Sequence, residues 1–348
     1  MSALDFRPSE LLERIAAGRH LEEPEADRLL CAMADGSLPP PLAGAILVAL
    51  RMKGECAAEI RGFATAMRRL ALRPELPEGR SYVDIVGTGG DGSGSLNLST
   101  GSALLAAACG AAVVKHGNRS VSSRSGAADV LAALGLPVPL DERQAGECFA
   151  AHGFTFLFAP HYHPAMKQIG PVRAALGVRT VFNILGPLSN PAAPPYHVIG
   201  AFSEPMAALM AETLSGMGVE RAFVVHGAGG WDEATPIGPF VCFDVRPGRV
   251  ERTVRDPQDY GLARCAPDAL VGGDAAENAA RLKAALAGED SAAHRDALAL
   301  GAALALEVTG VARDAREGIE RARAAIEDGS AARLVERLAS VERPRAEA

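Results

Sequence analysis

A short apolar run, Tyr82-Val-Asp-Ile-Val86, leads straight into Gly87-Thr-Gly-Gly-Asp-Gly-Ser-Gly-Ser-Leu-Asn-Leu-Ser-Thr100. Five residues rich in β-branched side chains and ended by glycine read as a buried strand. The stretch 101–109 is apolar enough for a helix that Gly110 can stop; 111–115 repeats the strand pattern, and 127–134, ended by Gly135, repeats the helix. This β-α-β-α unit commits the region to parallel pairing, because parallel neighbours need a long crossover connection. Later strands are expected at 154–158, 197–202 and 222–226 with helices between them, and an Ala-rich helix at 274–286.

The chain begins differently. Apolar residues recur at three- and four-residue spacing over 9–17, 23–33, 41–52 and 56–72, which predicts a small α-helical domain over 1–72. Residues 73–80 hold two prolines and a glycine and read as a linker. The expected fold is therefore α/β: a small N-terminal helical domain and a larger domain, 80–345, with a mostly parallel sheet.

Composition removes several function classes. The longest apolar run, 103–114, is interrupted by Gly110 and falls short of the ~20 residues a membrane helix needs. Residues 1–8 lack a basic stretch followed by an apolar one, so no secretory signal is read and a cytoplasmic location is expected. Six scattered cysteines without a C-x-x-C pair predict buried free thiols. A net charge of −7 argues against a nucleic-acid or anionic-membrane partner. Yet residues 92–128 contain no acid while holding Lys115, Arg119 and Arg124, and 148–203 contain none while holding Lys167, Arg173 and Arg179. Such stretches suit surfaces arranged around an anion, or buried segments that exclude carboxylates.

In an open parallel sheet, ligands sit beyond the carboxyl ends of the strands. The loop after the first strand contains G-x-G-x-x-G, but the helix starts near Ser99 and no acid follows until Asp129, which disfavours a dinucleotide. Ser93 stands where a P-loop would have lysine, which disfavours ATP in the usual cradle. What remains is glycine N–H groups able to approach phosphate, with Ser99 or Thr100 expected to cap a helix whose N-terminus favours anions. The next loop, Lys115-His-Gly-Asn-Arg-Ser-Val-Ser-Ser-Arg-Ser-Gly126, adds cations, an amide and hydroxyls suited to several phosphates. His161 and His163 alternate without a nearby carboxylate and read as a pocket wall rather than a metal pair. Asp232-Glu233, in a glycine-rich loop, suits Mg²⁺ and equally suits a solvated turn.

Together, Gly87-Thr-Gly-Gly-Asp-Gly, Asn97-x-Ser-Thr100, Lys115-His-Gly-Asn-Arg119, Ser122-Ser-x-Ser-Gly-x-Ala-Asp129 and Asp232-Glu233 resemble the anthranilate phosphoribosyltransferase family. The resemblance spans nearly the whole chain and includes Ala49-Leu-Arg-Met-Lys-Gly-Glu55, Pro171-Val-Arg173, the stretch 176–191 and Gly272-Gly-Asp-Ala-Ala-Glu-Asn278. It implies a helical domain joined by helices from about 165–190, a homodimer formed through the helical part, and an active site in the interdomain cleft. The implied substrates are phosphoribosyl pyrophosphate (PRPP) and anthranilate, with Mg²⁺ as cofactor.

Carried over by motif, Gly87, Gly90, Asp91, Ser95, Asn97, Ser99, Thr100, Lys115, His116, Gly117, Ser122 and Ser123 would line the PRPP site. Ser99, Asp232 and Glu233 would surround magnesium, Asn118 would lie between the substrates, His163 would wall the pocket, and Arg173 would pair with the anthranilate carboxylate. The resemblance implies no general base; Lys115, Asn118 and Arg173 act by positioning. Related nucleoside phosphorylases are disfavoured by Lys-His-Gly-Asn, Arg173 and Asp-Glu. Trp231, where a smaller aliphatic is usual, and Ala127, where serine is usual, depart from the family pattern.

Overall fold

A computed structural model of the protein describes residues 7–119 and 124–341. Four helices come first: α1 (Pro8–Ala16), α2 (Glu23–Ala34), α3 (Pro40–Lys53) and α4 (Ala57–Leu70). Proline sits in the first turn of α1, α2 and α3, where a missing N–H costs nothing. Glu59 opens α4 by accepting the Cys56 N–H at 2.9 Å, and it is fully buried. Its carboxylate, His20 and Cys56 lie close enough to suggest a metal cluster. The Lys53 ammonium already fills that space, 2.8 Å from Glu59 and 2.6 Å from His20 Nδ1, so the group is an internal ion pair.

The larger part runs β1 (Val83–Gly87), α5 (Leu98–Ala108), β2 (Val113–Gly117), α6 (Ala127–Ala133), α7 (Glu142–His152) and β3 (Phe154–Phe158). Three helices return the chain to the bundle: α8 (Ala159–Tyr162), α9 (Met166–Leu176) and α10 (Phe182–Leu185). Then come β4 (Tyr196–Gly200), α11 (Glu204–Ser215), β5 (Arg221–His226), β6 (Phe240–Arg246), β7 (Arg249–Arg255) and four closing helices, α12 (Ala275–Leu286), α13 (Ala292–Val308), α14 (Ala315–Glu327) and α15 (Ser330–Ala339). The seven strands lie in the order β3-β2-β1-β4-β5-β6-β7, the first five parallel and the last two antiparallel. The sequence reading did not foresee the β6–β7 hairpin, whose outer strand is largely exposed and charged and lacks the apolar run of a buried strand.

Strand alternation divides the core. On β5, Phe223 and Val225 pack with α5, α6 and the closing helices, while Ala222 and Val224 pack with α11 and the N-terminal helices. α9 packs on α2 and α3, and Ile169, Phe182 and Leu185 share the helical bundle's apolar cluster. Because β1 leads to β2 on one side and is flanked by β4 on the other, the strand order reverses at β1, and a crevice opens beyond its carboxyl end. All six cysteines are free, but only Cys148 and Cys242 are fully buried; the other four are half-buried.

Candidate active site

The first loop leaves β1 at Gly87 and is built from left-handed glycines, Gly89, Gly90, Gly92 and Gly94, with φ between 62° and 78°. Gly89 N–H donates to Asp232 Oδ2 at 2.6 Å, and Asp91 Oδ2 accepts from the Asp232 N–H at 3.3 Å. The segment 231–233, which follows β5, therefore folds back across β4 to reach β1. Gly200 makes this crossing possible: a Cβ there would stand 1.4 Å from the Asp232 carbonyl oxygen. A Cβ at Gly87 would stand 2.4 Å from Asp232 Oδ2.

Three carboxylates meet as a result. Asp91, Asp232 and Glu233 each place an oxygen within 4.8 Å of the others. Burial and the neighbouring Asp91 push Asp232 up to about 7. Burial, Asp232 and Asp91 push Glu233 well above the usual carboxylate range, against the pull of Lys115. Glu233 Oε2 is buried without a protein hydrogen bond among the described residues. Hard oxygen donors that repel one another and leave a buried oxygen unpaired fit a small divalent cation. The sequence reading placed Asp91 with the phosphates; the structure places it equally with the Asp232–Glu233 pair.

Lys115, on β2, is 1% exposed, and its ammonium donates to the Ile85 carbonyl and lies 3.5 Å from Ser99 Oγ. Burial lowers it to about 8, while Asp84 and Glu233 hold its charge. Asp84, fully buried on β1, accepts from Asn190 Nδ2 at 2.9 Å and from the His116 N–H at 3.2 Å. Burial raises Asp84 to about 6. The sequence reading missed Asp84 and Asn190, although an acid inside an apolar strand was a signal, since a buried carboxylate must find partners.

His116 and His163 meet at 3.2 Å between their Nε2 atoms, and His116 Nδ1 faces the Gly186 carbonyl at 3.1 Å. Burial lowers His116 to about 3 and His163 to about 4, so both are neutral at pH 7. His161 turns away to Glu142, 3.3 Å from its carboxylate. Arg173, on α9, is half-buried and stacks 5.2 Å from the Phe182 ring centroid. It has no carboxylate partner among the described residues, and burial lowers its pKa.

Some expected residues stand differently. α5 begins at Leu98, with Asn97 at the cap position, so Ser99 and Thr100 lie inside the first turn and do not cap it. Asn97 makes no capping bond either, because its amide is joined to Ser125 Oγ at 2.9 Å and Asn278 Nδ2 at 2.8 Å. Thr100 is fully buried behind the loop. Ser95 forms an isolated antiparallel bridge with Val271, tying the loop's far end. Gly117 ends β2, and a Cβ there would press on Phe156 at 3.0 Å. Asn118 is exposed and accepts from the Arg119 N–H at 2.7 Å. Ser122 and Ser123 lie outside the described residues. Trp231 is 7% exposed and packed in the sheet's apolar cluster, while Ala127 opens α6.

Glycine- and serine-rich loops beside a pocket of three carboxylates, at the reversal point of a parallel sheet joined to a helical bundle, fit a metal-dependent group transferase that acts on a phosphorylated donor. The sequence patterns agree: residues 79–332 match the glycosyl transferase family's a/b domain, and residues 9–71 match that family's helical bundle domain. The chain is 46% identical over 334 residues to an anthranilate phosphoribosyltransferase of Rubrobacter xylanophilus, covering 96% of this chain and 97% of that one. The crystal structure of anthranilate phosphoribosyltransferase from Thermus thermophilus superposes with a TM-score of 0.89 at 44% identity, covering 95% of this chain and 98% of the other. The Saccharomyces cerevisiae enzyme, solved in complex with PRPP and Mg, gives 0.86 at 27% identity, covering 96% and 97%. The chain belongs to the anthranilate phosphoribosyltransferase family.

Proposed function

We propose that this chain transfers the phosphoribosyl group of PRPP to the amine of anthranilate, giving N-(5-phosphoribosyl)anthranilate and pyrophosphate, a step of tryptophan biosynthesis. The observation that carries the reading is the meeting of Asp91, Asp232 and Glu233 beside buried Lys115 at the mouth of the glycine loop. Asp232, Glu233 and Ser99 would hold Mg²⁺, with Asp91 beside them; the bound ion supplies charge neutralisation to the departing pyrophosphate.

The chain's own groups do the rest by placement. The N–H groups around Gly87 and Gly90, the hydroxyls of Ser95 and Ser99, and the Lys115 ammonium face the phosphates, where developing charge strengthens each contact. Asn97 and Thr100 act from behind, fixing the loop's exit into α5. His116, Gly117 and Asn118 shape the adjoining loop, and Ser122 and Ser123 are the further PRPP ligands that the family resemblance implies. His163 braces His116, and Arg173 presents a planar guanidinium to the anthranilate carboxylate. The arylamine lone pair attacks the anomeric carbon as the C–O bond to pyrophosphate breaks. Its N–H becomes strongly acidic only once the C–N bond forms, so no strong base is required, and none is offered by histidines held near 3 and 4.

The family resemblance further supports a homodimer and a cytoplasmic setting; no helix among the described residues is long and apolar enough to cross a membrane. Sedimentation equilibrium at twice the 36.0 kDa chain mass tests the first. The activity is tested by loss of anthranilate fluorescence on mixing the protein with PRPP and Mg²⁺. Turnover that disappears with chelator supports the reading. Tight PRPP binding without anthranilate turnover would keep the donor and overturn the acceptor.

A further inference from the structure

The glycine loop has a mechanical problem. Four left-handed glycines within residues 89–94 give it little intrinsic preference for one shape, so its order must come from outside ties. Its start is tied by the Thr88 N–H to the Gly200 carbonyl at 2.9 Å and by Gly89 to Asp232. Its end is tied by the Gly272 N–H to the Gly94 carbonyl at 2.9 Å and the Leu96 N–H to the Leu270 carbonyl at 2.9 Å. The crest, Gly90 to Ser93, is held by Asp91, whose carboxylate belongs to the three-carboxylate pocket, and, among the described residues, by one side chain from elsewhere: Arg179 Nη2 donates to the Gly90 carbonyl at 3.0 Å.

Arg179 is itself held in place. Its guanidinium carbon lies 5.3 Å from the Phe202 ring centroid, and its backbone carbonyl accepts from Arg51 Nη1, on α3 of the helical bundle, at 3.0 Å. The route therefore runs from α3 through Arg51 and Arg179 to the crest of the phosphate loop. Contact is close enough that a Cβ at residue 90 would lie 2.4 Å from Arg179 Nη2.

We propose that Arg179 is a positioning residue for PRPP, a latch by which the helical bundle sets the shape of the glycine loop. Resting on the assignment of that loop to PRPP, the proposal adds that the latch acts on the donor alone. Arg179 meets a backbone carbonyl rather than a reacting atom, and losing its exposed hydrogen bond leaves the fold intact while freeing the crest. Among the described residues, Arg51 hydrogen-bonds to the Arg179 carbonyl and to no residue of the glycine loop.

Isothermal titration of PRPP with Mg²⁺ present, on wild type, Arg179→Ala, Arg51→Ala and the double variant, tests this. Arg179→Ala is expected to bind PRPP about five- to ten-fold more weakly, the equivalent of one ordinary solvent-exposed hydrogen bond, with an unchanged KM for anthranilate and an unchanged Tm. Arg51→Ala is expected to weaken binding less, and to add nothing in the Arg179→Ala background. Hydrogen exchange over 89–94 should quicken in Arg179→Ala. Equal PRPP affinity in wild type and Arg179→Ala, or full additivity of the two substitutions, overturns the latch. Failure of wild type itself to bind PRPP would instead overturn the donor assignment.

Discussion

Gly200→Ala is the sharpest test of how the site is built, because the substitution adds one methyl group and changes no charge. The new Cβ would stand 1.4 Å from the Asp232 carbonyl oxygen and 2.5 Å from its carbonyl carbon, and 3.0 Å is the closest that real Cβ atoms come. Both neighbours are backbone, so no side-chain rotation relieves the clash, and the 231–233 segment must withdraw by about 1.6 Å, the difference between those limits. Magnesium accepts oxygen ligands only near ~2.0–2.1 Å in a strict geometry, so Asp232 and Glu233 lose their common focus. Misplacement of about 1 Å at a reacting centre costs roughly 10²-fold, equivalent to about 2.7 kcal/mol of barrier. Overpacking adds a stability loss of about 1–3 kcal/mol. Fluorescence progress curves with varied Mg²⁺ should show kcat/KM down by at least about 10²-fold and a raised metal requirement. A Gly200→Ala enzyme within three-fold, roughly 0.7 kcal/mol, of wild type at every Mg²⁺ concentration would refute the reasoning.

Arg173→Ala should raise the KM for anthranilate by about ten-fold or more, since a charged hydrogen-bond partner is removed, and leave PRPP affinity unchanged in calorimetry; Arg173→Lys should recover only part, because an ammonium cannot bond a carboxylate in a fork. Acid lability should begin below about pH 6.5, the ordinary histidine value. His197 is fully buried and lowered to about 3, so the unfolded chain binds a proton that the native state refuses; this stability is complete above the unfolded pKa and is lost as pH falls. From about pH 6.5 to pH 5 the loss is about 2 kcal/mol for such a group, and Tm measured across that range should fall less steeply in His197→Asn than in wild type.

The sheet's five parallel strands were legible because each is a short, largely apolar run ended by glycine, proline or polar residues within two positions, and the N-terminal helices because their periodicity is undisturbed. The β6–β7 hairpin was not, since an exposed edge strand with Arg249, Arg252 and Arg255 carries little burial signal. Within the site, residues in one loop could be grouped by spacing. The approach of Asp91 to Asp232 could not, as it depends on a crossing over Gly200 that joins segments far apart in the sequence. Asn97 shows the opposite limit: its place in a motif suggested a ligand contact, while its amide joins the loop to Ser125 and Asn278.

The two buried acid groups of the site differ in how they are balanced, and that difference separates scaffold from function. Asp84 is answered within the protein by Lys115, Asn190 and the His116 N–H. Asp232 faces Asp91, and Glu233 faces both Asp232 and Asp91, which is repulsion that Lys115 only partly offsets at Glu233. A carboxylate raised above its unfolded pKa favours folding when protonated, so this pair's contribution to metal-free stability should decline as pH rises from about 4, the unfolded carboxylate value, towards the value of about 7 for Asp232, opposing the histidine contribution over the same range. Protons and Mg²⁺ then compete for the same oxygens, and the metal should stabilise more at pH 8 than at pH 6. At a hundred-fold excess over Kd the gain is on the order of 5 °C in Tm. Glu233→Gln should flatten the metal-free pH dependence, abolish most of the Mg²⁺ gain and reduce turnover by about 10²-fold or more. Thermal scans with and without Mg²⁺ at the two pH values decide it. A variant that keeps the full metal-induced gain would mean that Glu233 is not a ligand and that its raised pKa reflects burial alone.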